Sequence, residues 1–226
     1  MKSTVLLLSI SLFTFMLVSI GTATIYGQSD DSYETIKIGT QVWMAQNLNV
    51  DKFRNGDLIP EAKTSEEWLK AAMDGQPVWS YYNNKTENGD KYGKLYNWFA
   101  VVDPRGLAPE GWIIPSFDDM TVLIEYADKN LADFFDNNVT GRILKSTDGW
   151  SDNGNGTNES KFTALPGGWR YMEGDFFNLT KSGYWWSSTN INRAEAWAIR
   201  LQNDGDHAIR IGKFKGNGLS IRCIKE

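Results

Sequence analysis

Five oxygen-bearing side chains crowd into one stretch of this chain: Asp152, Asn153, Asn155, Asn158 and Glu159, interleaved with Gly154 and Gly156. Calcium takes about six to eight oxygen ligands on a backbone that bends around it, so this run is the candidate metal site and calcium the one cofactor the sequence suggests. The spacing departs from the Asp-x-Asp/Asn-x-Asp/Asn-Gly pattern of an EF-hand loop. Runs rich in Asn and Gly also serve simply as turns that need positive φ.

The second chemically pointed group is aromatic. Ten Trp residues contribute to an aromatic content of 13%, and Trp169, Arg170, Trp185, Trp186 and Trp197 fall among the Gly, Asn and Ser of the C-terminal half. Sugar rings stack on flat indoles flanked by polar groups, which makes these five the candidate ligand-binding residues and a glycan the candidate ligand. Adjacent residues of a strand face opposite ways. One of Trp185 and Trp186 is therefore expected inside, and the other outward or beneath a covering loop. The competing reading is that these rings are core, each burying ~150 to 250 Å².

Nucleophilic and acid–base chemistry finds little to build on. Cys223 is the only cysteine and His207 the only histidine. Cys223 shares an alternating run with Leu219 and Ile221, the setting of a buried small hydrophobe that needs no reactivity. His207 lies beside a predicted turn, and no Gly-x-Ser-x-Gly elbow precedes a helix. A glycosidase would need only two carboxylates about 5 to 10 Å apart, but 28 acidic residues without a motif single out no pair. No catalytic residue is assigned, and the chain reads as a non-enzyme.

Charge and the N-terminus bound partners and compartment. With 23 Lys and Arg against 28 Asp and Glu the net charge is −5, and no long basic cluster offers phosphates the counterion release that drives nucleic-acid binding. Residues 1–27 have the three parts of a secretory signal: Lys2, an apolar run over 5–20, and small residues at Gly21, Thr22, Ala23 and Gly27. The alternative is a membrane anchor, since the run is nearly long enough to span a bilayer. Cleavage after Ala23 or after Gly27 would leave a secreted or periplasmic protein with no stable membrane span. Residues 28–33 read as a flexible leader and 34–226 as a single domain with one core, held without any intramolecular disulfide.

Several elements are legible in that domain. Residues 35–38 and 41–44 alternate around Gly39-Thr40 and predict a hairpin. Thr64-Ser65-Glu66-Glu67 is a capping box that opens a helix to about Met73, stopped by Gly75 and Pro77. Ser116 caps a second helix, with Met120, Leu123, Ile124 and Ala127 on one stripe, ending near Leu131. Residues 78–82 read as strand and 83–89 as a polar loop. Residues 95–102 form a buried segment whose strand or helix identity periodicity leaves open. From 141 onward, runs at 161–165, 183–187, 196–201, 207–211 and 219–224 predict a β meander, with Asn203-Asp204-Gly205-Asp206 as a hairpin turn.

Five ordered strings carry a family resemblance: Val42-Trp43-Met44-Ala45-Gln46-Asn47-Leu48-Asn49, Tyr92-Gly93-Lys94-Leu95-Tyr96-Asn97-Trp98, Gly106-Leu107-Ala108-Pro109-Glu110-Gly111-Trp112, Ala164-Leu165-Pro166-Gly167-Gly168-Trp169-Arg170 and Tyr184-Trp185-Trp186-Ser187-Ser188-Thr189. Together they resemble the Fibrobacter succinogenes major paralogous domain, over residues 35–226. The resemblance implies an exported domain and assigns no activity. Ile113 and Met120 depart from the family's pattern, which usually has His and Trp there. More remotely, Asn97-Trp98, Gly111-Trp112 through Pro115-Ser116, Trp185 to Ser188 and the closing Ser220 to Cys223 segment resemble the formylglycine-generating sulfatase-modifying enzymes. That likeness implies an α+β, C-type-lectin-like fold of two helices on a twisted, irregular antiparallel sheet. It does not extend to their reaction, because a Cu(I) site built from a pair of thiolates cannot form from one cysteine. The expectation is thus a secreted recognition module for glycan or a cell-surface protein. A structural or protein-interaction domain is the alternative, and a carboxylate-based glycoside hydrolase the third class.

Overall fold

A computed structural model describes residues 33–129 and 139–226. The signal segment, all of the leader but Tyr33, and the predicted helix end near Leu131 lie outside the described residues. In chain order the elements are β1 (Thr35–Ile38), β2 (Gln41–Met44), α1 (Ser65–Asp74), β3 (Trp79–Ser80), a 3-10 turn (Tyr82–Asn84), α2 (Thr86–Tyr92), β4 (Leu95–Tyr96), α3 (Trp98–Val101), β5 (Trp112–Ile113), α4 (Phe117–Lys129), α5 (Thr140–Leu144), β6 (Trp169–Arg170), β7 (Phe176–Phe177), β8 (Ser182–Asn190), β9 (Glu195–Gln202), β10 (Ile209–Phe214) and β11 (Ile224–Lys225). The class is α+β, with every strand pair inside the sheets antiparallel and most strands very short.

The helix starts form as their side chains dictate. Thr64 accepts from the Glu67 amide while Glu67 reaches back to the Thr64 amide, and Gly75 in the left-handed conformation closes α1. Ser116 and Asp119 make the same reciprocal pair at α4. The open segment at 95–102 resolves into both alternatives, strand β4 followed by helix α3. Asn97 sits between them, its side chain accepting from Val78 and Ala100 and donating to Gln76.

Three expectations need correction. Residues 83–89 are not a loop: they carry the 3-10 turn and most of α2, a polar helix without an apolar stripe whose interior Gly89 leaves room for the Tyr81 ring. Tertiary packing overrides weak local propensity there. Residues 161–165 form no strand, because Lys161 and Thr163 adopt positive φ (61° and 52°) and only Ala164 bridges, to Lys145. The closing run at 219–224 is broken into single bridges from Leu219 to Tyr96 and from Ser220 to Trp185 before β11 begins.

Strands β8, β9 and β10 form the predicted meander, and the sheet separates two buried clusters where one core was expected. Tyr184, Trp186, Ala196 and Ala198 join Tyr96, Trp98 and Trp112 on one side. Trp185, Ile199 and Leu201 join Trp43, Phe162 and the Met120, Leu123, Ile124, Ala127 stripe of α4 on the other. A sheet covered on both faces buries both residues of an adjacent pair. A smaller third cluster, Ala62, Trp68 and Val78, lies under α1.

Candidate functional site

Strand β6 sends its two residues to opposite sides, as alternation requires. Arg170 turns inward and is fully buried. Its Nε donates to Gly174 at 3.0 Å and its terminal nitrogens to Ala62 at 2.8 Å and Thr64 at 2.9 Å, all backbone carbonyls. The guanidinium also lies over Trp68 and Phe176. Burial pulls its pKa down to about 10. Arg170 therefore ties the loop before α1 to β6, and its place beside Trp169 in sequence does not bring it to a ligand.

Trp169 turns outward and is half-buried. Its indole packs on Phe177 at 5.4 Å, Tyr184 at 5.8 Å and Tyr171 at 6.0 Å between ring centroids. Phe177 is 42% exposed. Lys213, from β10, sets its ammonium 3.8 Å from the Trp169 ring centre and 4.7 Å from that of Tyr184. Neither Lys213 nor Arg200 of β9 has an acidic partner or a hydrogen-bond acceptor among the described residues, and Arg200 Nε and Trp169 Nε1 are buried without one. Burial first, and the Arg200 charge second, depress the Lys213 pKa to about 8. The result is an aromatic patch carrying two cations that the protein itself leaves uncompensated.

The other predicted aromatics are placed differently. Trp185 and Trp186 lie on opposite faces of β8 and both are enclosed, so neither looks outward and the covering-loop alternative is the one found. Trp185 lies beneath the loop carrying Phe162, 5.9 Å away, and donates to Asn47, while Trp186 donates to the Tyr96 carbonyl. Trp197 is half-buried on the far face of the sheet against Phe117 of α4. Of the five candidates only Trp169 belongs to the patch. Tyr171, Phe177, Tyr184, Arg200 and Lys213 complete it. Tyr171 stands beside the candidate pair in sequence; Phe177, Tyr184, Arg200 and Lys213 were missed because strand pairing, not closeness in the chain, brings them to Trp169, and the Phe176-Phe177 doublet was the one available signal.

The oxygen-rich loop is engaged with itself. Asn155 Oδ1 accepts from the Trp150 amide at 3.0 Å, Asn158 Oδ1 from the Thr163 amide at 2.8 Å, and Asp152 from Asn203 at 3.0 Å. Asp152, Asn153 and Asn158 occupy the left-handed region (φ 55°, 60° and 54°). These hydrogen bonds shape turns, and among the described residues no three of His, Cys, Asp and Glu gather as a metal site. Glu159 closes the run.

A cleft of about 480 Å³ opens between α2 and the loop at 161–165, with Asn47 and Arg222 among its lining residues. Asn47 Oδ1 accepts from Trp185 Nε1 at 2.9 Å and from two Arg222 nitrogens at 2.8 and 3.1 Å, and its amide nitrogen donates to Tyr92. Arg222 donates also to the Phe162 carbonyl and lies over that ring. Burial lowers its pKa to about 9. As with Arg170, every guanidinium nitrogen has an acceptor. Among the described residues the carboxylates with displaced pKa values are Glu66 and Asp103, both lowered, by hydrogen bonds from the helix start and from Arg105. Neither lines this cleft. Cys223 is buried, its thiol pushed up to about 12 by desolvation, and His207 is exposed.

An α+β domain of short antiparallel strands, with seven of its ten tryptophans donating indole hydrogen bonds within the fold, is the class this architecture defines. Within that class the sequence profile of the Fibrobacter succinogenes major domain (Fib_succ_major) matches residues 36–225, and the chain belongs to that family. No curated protein and no solved structure matches it. Among the described residues no helix is long and apolar enough to cross a membrane.

Proposed function

We propose that this protein is a non-catalytic recognition module, exported to the periplasm or beyond, that binds glycan through the aromatic patch around Trp169. The observation that carries the reading is the patch itself: Phe177 exposed, Trp169 and Tyr171 half-buried beside it, and cationic donors at its edge with no acceptor among the described residues. Sugar binding asks for a flat apolar surface with a few unmet polar groups. The apolar run over 5–20 followed by small residues supports export. Two longer helices, α1 and α4, set against irregular antiparallel sheets support a C-type-lectin-like architecture. The buried Cys223 thiol and, among the described residues, carboxylates shifted only downward favour binding over hydrolysis.

Tryptophan fluorescence titrated with a panel of soluble polysaccharides tests this, with Phe177→Ala and Trp169→Phe as controls. Saturable quenching or a blue shift that both variants lose is the expected result. A spectrum unmoved by every polysaccharide would sink the glycan reading and leave a protein-interaction domain in its place.

A further inference from the structure

We infer that this site selects sugars bearing an acidic group, a carboxylate or a sulfate ester, which Lys213 and Arg200 hold from above the aromatic patch; the inference rests on the glycan reading just given. An ammonium and a guanidinium keep their charge in a folded protein when anions or hydrogen-bond acceptors compensate them. Lys94 shows the usual solution: it too lies over aromatic rings, Trp79 and Tyr81, but donates to the Asn49 carbonyl and side-chain oxygens at 2.8 and 3.0 Å. Lys145 donates to the carbonyls of Gln202 and Gly205, and Lys215 to those of Asn192 and Arg193. Lys213 has ring faces and no oxygen. Its neighbour is a second cation, Arg200, also without an acceptor among the described residues.

The positions follow from register. Arg200 stands opposite Tyr184 and Ile209, and Lys213 opposite Ala196, so alternation puts all of them on one face of the meander. Ala196 and Ala198 are small, which leaves the long side chains of β9 and β10 to fold back toward the rings of β6 and β8. An anion arriving there would meet two positive groups over an apolar floor, on a chain whose net charge is −5. A general attraction for polyanions is therefore absent, and any acid preference must come from this locus.

The test uses the full chain and three polymers: polygalacturonate, its fully methyl-esterified form, and a sulfated galactan, each titrated by calorimetry at low and high salt. The ester keeps the backbone and removes the charge. Binding of the acid at least tenfold tighter than the ester, weakening with salt, is expected, and either Lys213→Met or Arg200→Gln should bring the ratio of acid to ester affinity down to about one. Whether the sulfated polymer shares the preference distinguishes a general anion clasp from a carboxylate-specific one; both satisfy the inference. Equal binding of acid and ester, or an acid preference that survives both variants, would overturn it while the aromatic platform stands. Binding of none of the three, by a protein whose near-ultraviolet circular dichroism shows intact packing, would remove the platform and the inference together.

Discussion

Arg170 and Lys213 are two cations stacked on aromatic rings on opposite sides of the same two-residue strand. Arg170 lies 4.5 Å from the Trp68 ring centre and Lys213 3.8 Å from that of Trp169. Distance to the ring does not separate them. Oxygen does: Arg170 gives its nitrogens to three carbonyls, whereas Lys213 has none. A cation over a ring contributes about 0.5 to 2 kcal/mol wherever it occurs, so the stack alone identifies neither a framework nor a site. In the proposed reading, uncompensated charge on the open patch is what a ligand would complete, and fully compensated charge is where the fold holds itself together.

The largest effect that would break this comparison comes from Arg170→Met. It keeps much of the apolar stem but leaves the Ala62, Thr64 and Gly174 carbonyls short of a buried donor, at roughly 1 to 3 kcal/mol each. A loss of roughly 3 to 6 kcal/mol in urea unfolding is expected. Lys213→Met should stay within about 1 kcal/mol of the parent at neutral pH, because it removes a desolvated charge and keeps the chain on the rings. Equal losses would erase the distinction.

The tryptophans sharpen it. Trp185→Ala empties a fully enclosed site and removes one of the three donors to the Asn47 oxygen, and should cost roughly 3 to 5 kcal/mol. Trp169→Phe retains a ring among Phe177, Tyr184 and Tyr171, and should cost less than about 1.5 kcal/mol while abolishing the fluorescence response to glycan. Thermal unfolding with a glycan titration on the same samples reads both.

A smaller effect is specific to Lys213 and has a definite sign. Its folded pKa of about 8 lies below the ordinary lysine value of 10.5, so between those two pH values the unfolded chain binds more protons than the folded one. The penalty for burying this charge is complete below about pH 8 and fades as pH rises toward 10.5. Stability of the parent relative to Lys213→Met should therefore rise across that window, by about 1 to 2 kcal/mol. Taking the difference between the two proteins cancels the other lysines and tyrosines. A flat difference would show that the ammonium is better solvated than its position on the rings indicates.

What the sequence displayed and what it concealed divide along the same line. The capping boxes at Thr64 and Ser116, the first hairpin and the meander were legible because each is fixed by residues close in the chain. The family strings were legible too, and many of their polar members turn out to be framework: Asn47 joins Trp185 to Arg222, Asn97 joins β3 to α3, and Trp186 closes on Tyr96. They reveal membership because they build the fold, and for the same reason they say little about a ligand. Apart from Trp169 and Tyr184, the patch comes from outside those strings. Tyr171, Phe177, Arg200 and Lys213 sit on four separate pieces of chain brought together by sheet pairing. Alternation sends Trp185 and Trp186 to opposite faces of β8, but loops and helices cover both faces, so neither ring is free; at Trp169 and Arg170 one face is open.

The smallest predicted effect extends the comparison to the loop around residues 152–159, whose oxygens suggested calcium. If these side chains are compensated framework like Arg170, removing one costs a local hydrogen bond and calcium changes nothing. Asn155→Ala takes the acceptor from the Trp150 amide, whose own indole nitrogen reaches Ser146 and the Ala164 carbonyl. One bond of this kind contributes about 1 kcal/mol, which lowers the melting temperature by roughly 2 to 4 °C in a domain of this size. That decrement should be the same in chelator and in millimolar calcium. A cation held by this loop would instead raise the parent's melting temperature with calcium, since binding to the folded form alone stabilises it, and Asn155→Ala would lose the increase. Such a result would move the loop from the compensated class to the class of Lys213, because its oxygens would then be completed by something the chain does not carry.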